Sequence, residues 1–472
     1  MSQPLPIAII GAGPIGLAAA AHLVSRGERF RIFEKAPAVA ANLRDWGHVR
    51  LFSVWEQCID EAAAHLLERN GWMSPPLNRL PLGRDLVQDY LEPLAATPEL
   101  APFIETNTSV TQISRQGLDR MTTRERDARP FALTIRDAAG NVSEVLARAV
   151  IDTSGTWQTH NPLGAHGWPI EGEAEFADRI AYGIPDISGA ERENYAGLRT
   201  LVLGSGHSAA NALIDLAGVA EQEPATTMTW AVRGNSLTKI FGGGTADQLP
   251  ARGALGERLR NLVEDKRLAI ELSFAAQRLR MNGNGVLVDG LTPQGLRIIG
   301  PFDRIVAATG QRPDFSFARE IQLDLDPVVE SSRALGPLID PNLHSCGTVP
   351  PHGWRELAHA EPQFFVAGIK SYGRAPTFLL LTGYEQVRSI AAHLAGDEAA
   401  ANDVRLVLPE TGVCNATLED VAPGGLCCDG AAPEAQEPCC ARPAEAQATA
   451  CCAGKPESTS SSSQPARQAT CC

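Results

Sequence analysis

The chain has 472 residues, 44% of them hydrophobic, with 33 prolines and 43 glycines, which is enough for more than one packed α/β domain with many turns. A formal net charge of −14 sets aside a nucleic-acid partner, since phosphate backbones are gripped by basic surfaces. No uninterrupted apolar run reaches the roughly 18 residues that a bilayer span needs, so the sequence reads as soluble and cytoplasmic, with no membrane partner.

The first element is the short apolar run Pro6 to Ile10, the pattern of a buried parallel strand. It leads into Gly11-Ala12-Gly13-Pro14-Ile15-Gly16 and then into Leu17 to Val24, which is rich in helix formers. No basic residue precedes the apolar stretch and the glycines are spaced for a turn, so it is not a secretory signal. A glycine-rich turn that opens a helix presents free amides and a positive dipole end to a pyrophosphate. Gly11 permits the tight turn, Gly13 lets the backbone approach the phosphates, and Gly16 lets the helix lie close to the strand. A second strand, Phe30 to Phe33, ends in Glu34, about 20 residues beyond the turn, where an acid is needed for the ribose hydroxyls.

Further along, Thr200 to Leu203 is followed by Gly204-Ser205-Gly206-His207-Ser208-Ala209 and a helix-forming run to Leu216, which repeats the first pattern. The next strand, Met228 to Val232, ends in Arg233 instead of an acid. A guanidinium there suits a 2′-phosphate and so favours NADPH over NADH. Two dinucleotide turns in one chain imply a hydride passing from a nicotinamide to a flavin, here NADPH to FAD.

Cys58 is the one cysteine in the early region, so no redox pair of the disulfide-reductase type can form beside the flavin, and Cys58 is expected to be a buried apolar residue. Cys346, with His344 and His352 close in sequence, is a loop cysteine that could receive a soft ligand. After Cys414 the composition turns to Ala, Pro, Ser and Glu, which cannot bury a core, and a disordered tail over 415–472 is expected. Eight of the 11 cysteines fall in this tail as adjacent pairs: Cys427-Cys428, Cys439-Cys440, Cys451-Cys452 and Cys471-Cys472. Neighbouring cysteines form a disulfide only in a strained ring, and a reducing compartment keeps them as thiols, so a thiophilic metal or metalloid is the natural guest. No metal site is expected in the folded body.

With these motifs in place, the chain resembles the two-dinucleotide flavoprotein superfamily and, within it, the class B flavin-dependent monooxygenases. Val150 to Gly155 and Val306 to Asp314 resemble the segments where the family's chain leaves and rejoins the FAD domain. Thr106 to Val110 resembles the strand whose valine backbone, here Val110, meets the adenine. Phe364 to Gly368 resembles the last strand of the FAD domain, followed by a helix from Thr377 that faces the flavin ring. The region Phe176 to Tyr182 lacks the glycine and histidine usual before the nicotinamide domain, and Trp46 stands near the place of a Gly-Gly-x-Trp that is missing. Tyr182 to Asp186, Lys370 to Arg374 and Leu408 to Cys414 resemble flavoprotein monooxygenases associated with arsenical resistance.

The resemblance implies an α/β fold with two Rossmann-like domains, the FAD domain discontinuous (1–158 and 306–414) and the NADPH domain inserted (159–305). It implies Gly11, Gly13, Pro14, Gly16, Glu34, Trp46, Val110, Gly368 and Thr377 at FAD, and Gly204, Ser205, Gly206, Ser208, Ala209 and Arg233 at NADPH. Lys370, Tyr372 and Arg374 are the candidates beside the chemistry, which the cofactor itself carries. The expected reaction consumes NADPH and O2, passes one oxygen to a nucleophilic As(III), S or N centre and releases the other as water. Methylarsenite is the expected substrate. An N- or S-oxygenase of a small organic molecule, an NADPH-dependent reductase and a thiol-rich metal buffer are the other readings left open.

Overall fold

The computed structural model describes residues 4–238, 240–343, 349–375 and 378–406. His344, Cys346, Thr377, Cys414 and the four cysteine pairs lie outside them.

The chain opens with β1 (Ile7–Ile10), α1 (Pro14–Ser25) and β2 (Phe30–Phe33). Pro14 starts the helix, where its missing N–H is of no consequence. Helix α2 (Glu61–Arg69) is capped by Asp60, whose carboxylate accepts the Ala63 N–H at 2.9 Å. Next come β3 (Ile104–Glu105), β4 (Ser109–Arg115), β5 (Phe131–Arg136), β6 (Val142–Ala147) and β7 (Ala149–Asp152). The strand expected over Thr106 to Val110 begins only at Ser109, because Asn107 takes a left-handed turn with φ of 52°.

A second unit follows with β8 (Ile180–Tyr182), β9 (Arg199–Leu203), α3 (His207–Gln222), β10 (Thr227–Ala231), α4 (Pro250–Glu264) and β11 (Ala269–Glu271). It is completed by β12 (Ala275–Asn282), β13 (Gly285–Thr292), β14 (Gly295–Phe302) and β15 (Arg304–Ala307). The chain returns with β16 (Phe364–Val366) and α5 (Leu380–Leu394).

Two five-stranded parallel sheets result, in the orders β16-β7-β1-β2-β3 and β11-β10-β9-β15-β8. Each is backed by a three-stranded antiparallel sheet, β4-β5-β6 or β12-β13-β14. The strand period explains the layering. Ile7 and Ile9 pack with the helices α1 and α5, while Ala8 and Ile10 pack with Ile113, Phe131 and Leu133 of the antiparallel sheet. In β9, Val202 faces α3 and α4, and Leu201 and Leu203 face Val286 and Val288 of β13. Each fully buried aliphatic side chain contributes about 1.5–3 kcal/mol relative to exposure.

The chain crosses between the sheets twice, and the crossings bind each other. The Asn161 N–H donates to Gly310 O (3.0 Å), the Arg312 N–H to Thr159 O (2.9 Å), and the Thr309 hydroxyl to Asn161 O (2.6 Å). Strand β15 pairs with β9 through Ala307, so the second sheet continues past the division expected at 305 and 306.

Candidate functional site

The first turn meets three separate steric demands. Gly11 sits at φ of +96°, and a side chain there would press on the Ser154 Cα and Thr153 O, each 3.1 Å away. A Cβ on Gly16 would lie 2.0 Å from Gly11 O, so the helix could not approach the strand. A Cβ on Gly13 meets nothing within 4 Å, because this residue borders open space. Glu34 stands across the turn and is 8% exposed. Its two oxygens accept the Ala12 N–H at 2.8 Å and the Ala36 N–H at 2.9 Å. The carboxylate is thereby fixed in orientation and keeps lone pairs for hydroxyl donors.

That open space is a cavity of about 910 Å³, within the range of roughly 300–1,000 Å³ usual for ligand sites. Gly11, Gly13, Pro14 and Glu34 line one part of it, with Trp46 and Val110 beside them. Gly368 and Lys370 line it from the returning chain. The Gly368 N–H donates to the Gln386 side chain at 2.9 Å, which ties the end of β16 to α5. An open glycine cradle, a helix N-terminus and a fixed acid on the next strand suit the diphosphate and ribose of a dinucleotide such as FAD.

The cavity reaches the second unit at His207 and Asn211. The second turn repeats the first: Gly204 has φ of +135° with a Cβ position 2.1 Å from Ala308 O, and Gly206 is open. Ala209 is fully buried under the turn, and Ser205 and Ser208 are half-buried. These residues and Arg233 do not line the large cavity; His207 stands between. Its ring lies 4.8 Å from Phe52. Burial, then the charge of Arg252, pushes its pKa down to about 4, against the opposing pull of Asp247.

Arg233 follows β10 with an open face to solvent and donates to Ala165 O at 3.1 Å. The protein packed around its guanidinium, and then the charge of Arg374, draw its pKa below the ordinary arginine value. Arg374 is exposed. Tyr372 is buried away from the cavity, with Phe378 at 5.2 Å and His352 at 5.7 Å, and burial raises its hydroxyl pKa. His352 itself is engaged by the Gln386 side chain at 3.1 Å. Cys58 is fully buried with a free thiol pushed up to about 12 by burial. No group of acidic, histidine and cysteine side chains able to hold a metal occurs among the described residues.

Sequence reasoning passed over Phe52, Trp157 and Asn42, all of which line the cavity. Trp157 carried a signal: it lies two residues after the Val150 to Gly155 segment, and its ring sits 6.4 Å from that of Trp46.

Two parallel Rossmann-like sheets joined by paired crossings make an α/β fold with two Rossmann-like units. Residues 9–71 match the family model of an NAD(P)-binding Rossmann-like domain. The chain is similar in structure to the bacillithiol disulfide reductase Bdr of Bacillus cereus, with TM-score 0.62 and 17% identity over 84% of this chain and 99% of that one. It is also similar to DfoA, the cadaverine monooxygenase of the desferrioxamine pathway in Erwinia amylovora, with TM-score 0.56 and 12% identity over 86% and 97% of the two chains. A third likeness is to the ornithine hydroxylase PvdA of Pseudomonas aeruginosa, with TM-score 0.54 and 14% identity over 84% and 100%. No curated protein matches in sequence. No helix among the described residues is long and apolar enough to cross a membrane.

Proposed function

We propose that this protein is an FAD- and NADPH-dependent monooxygenase that oxidises a soft nucleophile, a trivalent arsenical such as methylarsenite, to its pentavalent form. The observation that carries the reading is a cavity that runs from the first dinucleotide turn to His207 and Asn211 at the start of α3, with no cysteine in its described wall. Two substrates of a hydride transfer can meet there, while a disulfide exchange would lack its thiol. FAD, when bound, supplies hydride acceptance from NADPH and the activation of O2.

The side chains hold and enclose. Gly13 leaves room for the diphosphate and Glu34 receives the ribose hydroxyls. Arg233 offers its charge to the 2′-phosphate. Trp46, Trp157 and Phe52 restrict water around the reacting centre. NADPH, a proton, O2 and the arsenical are consumed, and NADP+, water and the pentavalent acid are released. The cysteine pairs of 415–472 capture the trivalent arsenical as a dithiolate and deliver it. The arsenical assignment draws on the motifs shared with the arsenical-resistance flavoproteins.

The test is NADPH oxidation under ¹⁸O2, with and without methylarsenite. Substrate-stimulated oxidation that places one labelled oxygen in the product supports the reading. Oxidation that ignores arsenicals, thioethers and amines and ends in H2O2 overturns it in favour of a reductase.

A further inference from the structure

Lys370 is 1% exposed, yet it is one of the residues that line the cavity. Its Nζ lies 2.7 Å from Asp152 Oδ2 and donates to Ser154 Oγ at 3.0 Å. The rings of Phe315 and Phe317 approach it at 4.9 and 4.6 Å. Asp152, at the end of β7 between β16 and β1, is fully buried. Its other oxygen accepts both the N–H and the hydroxyl of Ser154, at 3.0 and 2.7 Å. One charge pair therefore ties together the end of β7, the stretch after the return crossing and the turn after β16.

The residues held this way touch the first dinucleotide turn. The Thr153 hydroxyl donates to Ile10 O at 2.9 Å and lies 3.1 Å from Gly11 O. Thr153, Ser154 and Gly155 all border the cavity. A buried ion pair earns its place poorly as a source of stability, since hydrophobic residues of similar shape often serve as well. Losing one partner is another matter, because the survivor is a buried unpaired charge.

We propose that Asp152 and Lys370 form a charge lock that sets the shape of the 153–155 turn, making Lys370 a positioning residue for the dinucleotide on the first turn. The lock rests on the reading that this cavity takes FAD. Its mark is a pairwise dependence: each partner matters chiefly because the other is present.

The experiment titrates apoprotein with FAD by flavin fluorescence, well below the melting temperature of every variant, and records the visible circular dichroism of the bound flavin. Lys370→Met and Asp152→Asn are each expected to weaken FAD binding roughly 10- to 100-fold and to alter the dichroism. The double variant is expected to return to within about tenfold of wild type. NADP+ affinity at the second turn should not change in any of them. Wild-type FAD affinity in a folded Lys370→Met protein would overturn the lock, and so would a double variant no better than Lys370→Met. If Lys370→Met does not accumulate, the double variant decides alone against the same tenfold limit. A wild-type protein that takes up no FAD would overturn the cofactor reading itself, and the lock with it.

Discussion

Gly13 and Gly206 hold matching points in the two dinucleotide turns, and at both an added Cβ would meet no atom within 4 Å. Their neighbours are different: the Cβ positions of Gly16 and Gly204 fall 2.0 and 2.1 Å from carbonyl oxygens. The same residue type thus serves the ligand at one point and the fold at the next, and mutations separate the two.

Gly13→Val should leave the fold intact, since φ of −82° suits any residue and the space is free. It should purify without flavin, read as loss of the 450 nm band relative to protein absorbance. Gly16→Ala should instead lower stability by about 1–3 kcal/mol in urea unfolding, as overpacking does.

Arg233→Ala should raise KM for NADPH roughly 10- to 100-fold and leave NADH kinetics within about threefold, because only the first carries the 2′-phosphate. Steady-state rates with both nucleotides check this. Equal losses with NADPH and NADH would remove Arg233 from the phosphate site.

His207 gives stability a pH dependence of defined sign. Its folded pKa of about 4 lies below the unfolded value near 6.5, so the unfolded chain takes up a proton first as pH falls. The contribution is complete above about pH 6.5 and is lost on the way down toward pH 4. His352 and His359 are lowered by burial and act in the same direction. The measurement is therefore the difference between wild type and His207→Gln in urea unfolding at pH 7.5 and pH 5, where the variant should lose less.

Cys58 should be chemically silent. Its thiol stays protonated up to about pH 12 in the fold and is closed to solvent. Peptide mapping after maleimide treatment at pH 8 should find it unmodified until denaturant is added, and Cys58→Ala should retain full turnover.

Removing residues 415–472 should leave kcat at saturating methylarsenite unchanged and raise the apparent KM several-fold, if the paired thiols gather substrate. Initial rates over a range of methylarsenite concentrations, for the full and shortened chains, check this.

The parts of the site legible in the sequence are those that local sterics write. Glycine spacing, the strand before it and, for the first turn, the acid at the end of the next strand reveal the turns because each requirement is local in sequence. The wall between the turns is different. Phe52 meets His207, and Lys370 meets Asp152, across spans of chain that no local pattern encodes. Tyr372, two residues beyond Lys370, points into packing with Phe378 and not into the cavity, a choice made by the turn after β16. Asn107 likewise bends a stretch whose composition reads as strand.

The two crossings bring His160 and Gln311 into a bridge as antiparallel partners, which places their backbones about 5 Å apart. The polypeptide between them thus begins and ends at one spot. Such an insert can be cut out and the host resealed by a short turn, or a different insert can take its place, without the host sheet gaining or losing a strand. Exchange of that insert needs two junctions in the gene, at the codons for His160 and Gln311, that are a single place in the structure.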